Sequence, residues 1–335
     1  MLEMAVGGFY GDEGKGKIVG YLSIKDKAYI VVIAGSGPQA GHEVTEGKKV
    51  TQIPSGFVNP NSRLLIASGT LISPEKVLEE IETYNVKNRI GIDYGCTVIE
   101  TKHIEKEKKD LVKRIGSVGK GTGPARSDRI YRKAKIAKDV ELLKPYLTDV
   151  SEEINNALDL DKKVLVEGTQ GYALSLMNHE FYPYVTSQNT ISSQFASDAF
   201  IGPKVIDEII VTYKSYVSRV GKGPLKNEWS EEEKQKHGIR EKATVSQRER
   251  RLADFDYEMA KKALIKNTGT QAALTCIDRL FPGNSGIKDF NNLTKDAKSF
   301  INEVNQSLKG PKYFKGITLI STSPNLEDTI DLRKV

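Results

Sequence analysis

Gly7-Gly8-Phe9-Tyr10-Gly11-Asp12-Glu13-Gly14-Lys15-Gly16-Lys17 follows directly on the apolar run Met4-Ala5-Val6. Glycines at 8, 11, 14 and 16 let backbone N–H groups turn toward an anion with no Cβ in the way. Lys15 and Lys17 add positive charge, and the helix expected from Ile18 onward would point its N-terminus at the same anion. A strand, a glycine-rich turn and a helix in that order predict a phosphate-binding loop in an α/β fold. The loop is not a Walker A motif. Counting back from Gly14-Lys15, the first position is Phe9, and Gly16 stands where a Ser or Thr would hold magnesium. Asp12 is the natural substitute, because Mg²⁺ takes oxygen ligands, often one carboxylate plus phosphates and water.

Working outward, apolar runs alternate with helix-like ones. Ala28 to Ala34, Arg63 to Ala67, Lys163 to Glu167, Ala272 to Ile277 and Gly316 to Ile320 read as strands. Helices are expected from Pro74 to about Tyr84, with Ser73 as cap, and over Asp256 to Lys266 and Asp296 to Leu308. This order predicts a mostly parallel central sheet flanked by helices, with the phosphate-binding loop after the first strand. Ligands then sit at the carboxyl ends of the strands. The polar stretch Asn227 to Glu241, with Trp229 as its one aromatic, reads as a surface excursion. No repeat or linker divides the chain, so residues 1–335 are expected to form one domain with peripheral excursions.

Composition narrows the function classes. The 335 residues are 38% hydrophobic and 28% charged, as expected of a soluble globular protein with a substantial core. No run approaches the roughly 20 apolar residues of a membrane span. No basic-then-apolar leader precedes the first strand, and the two cysteines, Cys96 and Cys276, lack metal-ligand spacing. A cytoplasmic location is expected. The formal charge of +6 raises nucleic-acid binding, but the densest run, Glu105 to Asp110, is mixed in sign and reads as a solvated helix face. Cation excess also suits an enzyme acting on polyanions, and that reading is preferred.

Several polar segments follow the predicted strands. Ala40-Gly41-His42 closes a loop of Gly, Pro and Gln, where an imidazole can stabilise charge or donate a proton. Glu167-Gly168-Thr169-Gln170-Gly171 offers an amide at Gln170. Tyr182 to Thr190 offers hydroxyls and amides. Ile115 to Pro124 is a second glycine-rich loop with Lys120, followed by Arg126, Arg129 and Arg132; it reads as an anion site or a flexible surface loop. Arg248-Glu249-Arg250-Arg251 suits a bidentate grip on carboxylate or phosphate, or else a solvated helix face. Asp278, placed at the end of an apolar strand, could accept two hydrogen bonds from a guanine or cap the next helix.

Taken together these segments resemble the adenylosuccinate synthetases, in the compact form familiar from archaea. The resemblance rests on Gly11 to Lys17, Ala40-Gly-His42, Ile53-Pro-Ser-Gly56, Gly121 to Ala125, Glu167 to Gly171, Tyr182 to Ser187 and Ser218 to Pro224, in the family's order along almost the whole chain. It implies GTP-dependent ligation of L-aspartate to IMP through a 6-phosphoryl intermediate, in AMP synthesis. It implies Asp12 as the base toward IMP, His42 and Lys15 as stabilisers of the transferring phosphoryl group, and Gln170 against the IMP base. Mg²⁺ is implied on Asp12 and the Gly41 carbonyl. GTP is expected at Gly11, Gly14, Lys15, Gly16, Lys17, Gly41, Ser321 and Ser323, with Asp278 selecting guanine. IMP is expected at Asp12, Gln39, Ser117, Val118, Gln170 and Thr186, with Arg132 reaching across a homodimer interface. Aspartate is expected at Thr244, Arg248 and Arg250. The chain departs from the family pattern at Gln39, at Ser117-Val118, at Cys276 and in the loop Ala243 to Gln247. Two other readings are kept beside this one: a GTP-binding regulatory module without chemistry, and a nucleic-acid binder. Asp12 and His42 argue against the first, and the scattered charge against the second.

Overall fold

The computed structural model describes residues 1–333. Its centre is a ten-stranded sheet. Across the sheet the strands run Thr329–Asp331, Ile317–Ser321, Gln271–Thr275, Ile206–Lys214, Leu2–Gly7, Val164–Gly168, Ile30–Ala34, Arg63–Ile66, Ile90–Asp93 and Leu147–Thr148. All neighbours pair in parallel except the antiparallel edge strand Thr329–Asp331. The mostly parallel sheet expected from the alternating pattern is therefore present.

Its strands are apolar on both faces because helices cover both. Along the first strand Met4 and Val6 pack into one cluster and Ala5 into the other. Val32 and the pair Val31 and Ile33 divide in the same way on their strand. This two-residue period, with every position of both strands buried, makes the register costly to shift.

The expected helices form at Lys15–Lys25, Pro74–Thr83, Tyr257–Asn267 and Lys295–Leu308. The first begins three residues earlier than its apolar residues suggest. Ser73 precedes Pro74 but does not cap with its side chain; its hydroxyl donates to Glu75 instead. Asn227 to Glu241 is not a mere surface excursion. Trp229 is 4% exposed, stacks on Tyr216 and His237, and joins Ile239 and Leu252 in a small core of its own. The helix Glu231–His237 exposes its three glutamates and Lys236, buries Lys234 in a pair with Glu231, and is anchored by this apolar cluster. The sequence pattern hid this because the helix has only seven residues, too few to display a period.

Topology fixes where polar groups collect. The chain leaves the first strand toward Ile30–Ala34 on one side and later returns past it to Ile206–Lys214 on the other. The carboxyl ends of Leu2–Gly7 and its neighbours thus border a crevice at the point where strand order reverses. The segment Thr51 to Ile53 is tied down by Glu80 of the helix Pro74–Thr83. Its buried carboxylate accepts from Thr51 N and Oγ1, Gln52 N and Ile53 N at 2.7–3.1 Å. Glu80→Ala leaves four buried or half-buried donors without an acceptor. It should lower unfolding stability by about 3 kcal/mol or more, read as a lower denaturant midpoint at unchanged slope, with Glu80→Gln falling between.

Candidate active site

Two cavities meet in the crevice, of about 350 Å³ and 290 Å³. Gln39, Ser117, Val118, Gln170, Thr186 and Arg248 line the larger. Gly14, Lys15, Gly16, Lys17, Asp278, Ser321 and Ser323 line the smaller. Gly11, Asp12, Gly41, His42, Thr244 and Arg250 border both. Lys120, Arg126 and Arg129 line neither cavity, Arg126 donating instead to Gly35 O at 3.2 Å and Gly69 O at 3.4 Å; of the residues matched to a ligand, only Arg132 lies outside. It is exposed beyond the helix Thr122–Ile130, in left-handed backbone, with exposed Ile130 and Tyr131 beside it.

The first loop is built as expected in outline and differs in detail. Gly11 and Gly14 have φ of 97° and 77°, a region where a Cβ is strained. Phe9 N and Gly11 N, however, do not face the cavity. Both donate at 2.8 Å to the Glu13 carboxylate, which also holds the Lys15 ammonium at 2.8 Å. Glu13 is fully buried, so it braces the loop from within. That leaves the N-terminus of Lys15–Lys25 as the part that can meet an anion. Lys17 departs from its expected role as loop charge. Its ammonium donates to Ser321 Oγ at 2.7 Å, Ser323 O at 2.6 Å and Asp328 O at 3.0 Å. It pins the far wall of the smaller cavity, and burial pulls its pKa down to about 8.

Asp278 does not end a strand. The strand stops at Thr275, whose hydroxyl donates to Glu13 O. Cys276 then turns in left-handed backbone, and Asp278 sits in the short helix Ile277–Leu280. Its carboxylate still lines the smaller cavity. Burial pushes its pKa up.

His42 Nδ1 lies 2.6 Å from Glu167 Oε1. Glu167 also accepts from Ser55 N at 2.8 Å and Ser55 Oγ at 2.7 Å. Burial alone would raise this carboxyl, but His42 and Ser55 outweigh it and keep the pKa below the usual range. Engaging Nδ1 fixes the ring and leaves Nε2 as its other edge. Ser55 belongs to the Ile53-Pro-Ser-Gly56 motif, which thereby acts on His42 through Glu167. Glu167 was missed as a site residue. A lone carboxylate finishing an apolar run was the available signal.

Asp12 is the most heavily engaged group. Its carboxylate takes hydrogen bonds from Arg250 and Ser218 and lies 3.6 Å from the Lys214 ammonium. Burial favours the neutral acid, yet Arg250, Lys214 and Ser218 together hold its pKa below the ordinary value. Lys214 and Arg250 also pair with Glu241. Arg248 donates to Gly116 O at 3.0 Å and Ser117 O at 3.1 Å. Neither arginine lies on a solvated helix face. Both belong to a loop running into the strand Arg251–Ala253 and are committed to partners within the protein.

In the larger cavity Gln170 adopts φ of 56°, and the Ser117 hydroxyl donates to Glu107. Glu107 is buried, so the helix Thr101–Lys109 is not solvated throughout, as the Glu105 to Asp110 run suggested. Gln39 Oε1 is buried without a partner among the described residues, aligned with a role in holding a ligand. Lys214 and Glu241 were not singled out from sequence, and Ser218 entered only as the first residue of a family motif. Lys214 is a charge directly after the buried run Ile209 to Tyr213, which is a usable signal, whereas Glu241 carries none. Among the described residues no cluster of three or more His, Cys, Asp or Glu could hold a metal alone. One carboxylate at Asp12 and one carbonyl at Gly41, both on the shared rim, are the sparse oxygen set that Mg²⁺ accepts when phosphates and water complete its shell.

Comparison with known proteins gives the family and the fold. The adenylosuccinate synthetase family profile matches residues 4–142 and 134–282. The chain is 47% identical to the adenylosuccinate synthetase of Thermococcus sibiricus over 99% of this chain and 98% of that protein. It is 47% identical to that of Methanocaldococcus jannaschii over 98% and 96%. The fold is similar to a fully ligated adenylosuccinate synthetase from Plasmodium falciparum, with a TM-score of 0.86 at 23% identity over 99% of both chains. It is also similar to the succinoaminodeoxyadenylate synthetase of cyanophage S-2L, with a TM-score of 0.82 at 21% identity over 99% of this chain and 95% of that one. The chain belongs to the adenylosuccinate synthetase family, the ligases that join L-aspartate to IMP at the expense of GTP in AMP synthesis.

Proposed function

We propose that the ligation runs here in two displacements at the rim shared by the cavities, with IMP and aspartate in the larger and GTP in the smaller. The observation that carries this is the common border of Gly11, Asp12, Gly41, His42, Thr244 and Arg250. Only there can a group in one cavity attack a group in the other.

In the first step Asp12 takes the N1 proton of IMP, and the 6-oxygen forms a bond to the γ-phosphorus of GTP. The bridging P–O bond breaks to give GDP and 6-phosphoryl-IMP. Such transfer depends on positioning and charge stabilisation. The helix N-terminus at Lys15 to Lys17, the Lys15 ammonium and His42 supply it. Mg²⁺, held by Asp12 and the Gly41 carbonyl, would neutralise charge on the phosphate oxygens. In the second step the aspartate amine attacks C6, loses a proton, and phosphate leaves with the 6-oxygen. His42 stabilises that departing charge.

Gln170 meets the base of IMP, while Gln39, Ser117, Val118 and Thr186 serve its ribose phosphate end. Val118 has no hydroxyl and can give only its backbone N–H and apolar surface. Asp278 accepts from the guanine edge, and Ser321 and Ser323 shape that wall under the hold of Lys17. Thr244, Arg248 and Arg250 receive aspartate, for which both arginines must leave their present partners. The exposed position of Arg132 supports a homodimer in which it serves the partner subunit. The ten-stranded sheet, running from residue 2 to residue 331, supports a single domain. No helix among the described residues is long and apolar enough to cross a membrane. Two free cysteines and soluble anionic substrates support a cytoplasmic enzyme.

With IMP, L-aspartate, GTP and Mg²⁺ all present, adenylosuccinate should form, and leaving out any one should stop it. Asp12→Ala should cut turnover by about 10²- to 10⁴-fold, the usual worth of a positioned base, with the fold retained at a lower melting temperature because Arg250 and Lys214 lose a buried counter-charge. Persistent turnover in that variant would refute the base assignment. Glu167→Gln keeps the shape but weakens the anchor of His42. It should lower kcat by about tenfold or more with KM values near wild type; an unchanged kcat would show that His42 needs no such anchor.

A further inference from the structure

Glu241 sits at the end of the segment anchored by Trp229 and Ile239, and its carboxylate is directed into the site. It accepts from Lys214 and from the Tyr216 hydroxyl, and Arg250 lies 3.5 Å away. The same two cations pair with Asp12. Lys214 is 3% exposed, and the side chains of Asp12, Glu241 and Arg250 are each below 15%. The result is a buried quartet of two carboxylates and two cations.

Buried charge of this kind is strongly constrained to stay balanced. Arg250 is turned onto Asp12 through Nη1, with its Nε buried and unpartnered among the described residues, and in that pose it is not set to grip a substrate carboxylate with both edges of its fork. Asp12 cannot serve IMP or a metal while two cations claim it. A second carboxylate that competes for both cations relieves both conflicts. Glu241 borders the smaller cavity beside Arg250 and Thr244, so it remains alongside Arg250 when the guanidinium turns. Lys214 cannot play the part of Arg250, because it rises from the sheet and is covered by the ring of Tyr216 at 4.5 Å.

We propose that Glu241 is a positioning residue for the ligation: it shares Arg250 and Lys214 with Asp12, frees Asp12 for the phosphoryl step, and provides the seat from which Arg250 receives aspartate. The proposal rests on the assignment of Asp12 as the base.

The test uses Glu241→Gln, which keeps size and still accepts from Tyr216, together with Glu241→Asp and Tyr216→Phe. The phosphoryl step is read without aspartate, as IMP-dependent movement of ¹⁸O from the β,γ-bridge of GTP into the β-nonbridging positions. In Glu241→Gln both cations fall to Asp12, so scrambling should slow about tenfold or more. The KM for aspartate should rise by about tenfold, with the KM for GTP unchanged. Glu241→Asp should recover part of both effects, and Tyr216→Phe, which leaves the carboxylate in place, should show neither. Wild-type scrambling and aspartate KM in Glu241→Gln, or equal losses in Tyr216→Phe, would overturn the proposal in favour of a structural tether. Asp12→Ala is run alongside. No scrambling in Asp12→Ala with normal scrambling in Glu241→Gln removes the role of Glu241 alone. Scrambling in Asp12→Ala removes the base assignment and this proposal with it.

Discussion

A parallel sheet covered on both faces leaves polar side chains one place to gather, its carboxyl edge. Nine of the ten strands here are parallel, and in the first two every position is buried, with Glu3 the one charged residue. Much of what carries charge toward a ligand therefore comes from segments that follow strands, while Arg248 and Arg250 are brought in by the loop that runs into Arg251–Ala253. Asp12 follows the first strand, His42 the second, Glu167 ends its own, and Lys214 ends another. The crevice is a consequence of strand order, and the chemistry is a consequence of which residues the strand ends happen to carry.

Low exposure then dictates pairing. A carboxylate removed from water keeps its charge only beside cations or donors. Each buried acid in the site obeys this, and each does so by reaching a different segment. Glu13 closes the first loop on itself, Glu167 joins residue 42 to residue 55, and Glu241 joins residues 214, 216 and 250. The acids thus hold together loops that are far apart in sequence. Rigidity at the site comes from this network as much as from the sheet below it.

The frame and most of the site were legible in the sequence, and the reasons differ by residue. Strands such as Ile30–Ala34 announced themselves because burial on both faces leaves an unbroken apolar run. The cradle was legible because only glycine tolerates the backbone at positions 11 and 14. What stayed hidden depended on long-range partners. Lys17 reads as a cradle charge until its bonds to residues 321–328 are seen. Glu241 lies in a polar stretch indistinguishable from a solvated loop, because the apolar partners that anchor the stretch, Tyr216 and Leu252, come from elsewhere in the chain. The left-handed turn at Cys276 cut the expected strand short, since no local feature marks a cysteine for that conformation.

The common wall between the cavities has a thermodynamic corollary. Asp12 and Arg250 belong to both compartments, so an occupant of either that draws on them alters the state in which the other is met. Heterotropic coupling of this kind is reciprocal by linkage. Whatever factor an occupant of the smaller cavity imposes on affinity in the larger, the occupant of the larger must impose in return. Two independent pockets would permit any combination of affinities; a party wall built from one ion-paired cluster ties them to a single coupling constant.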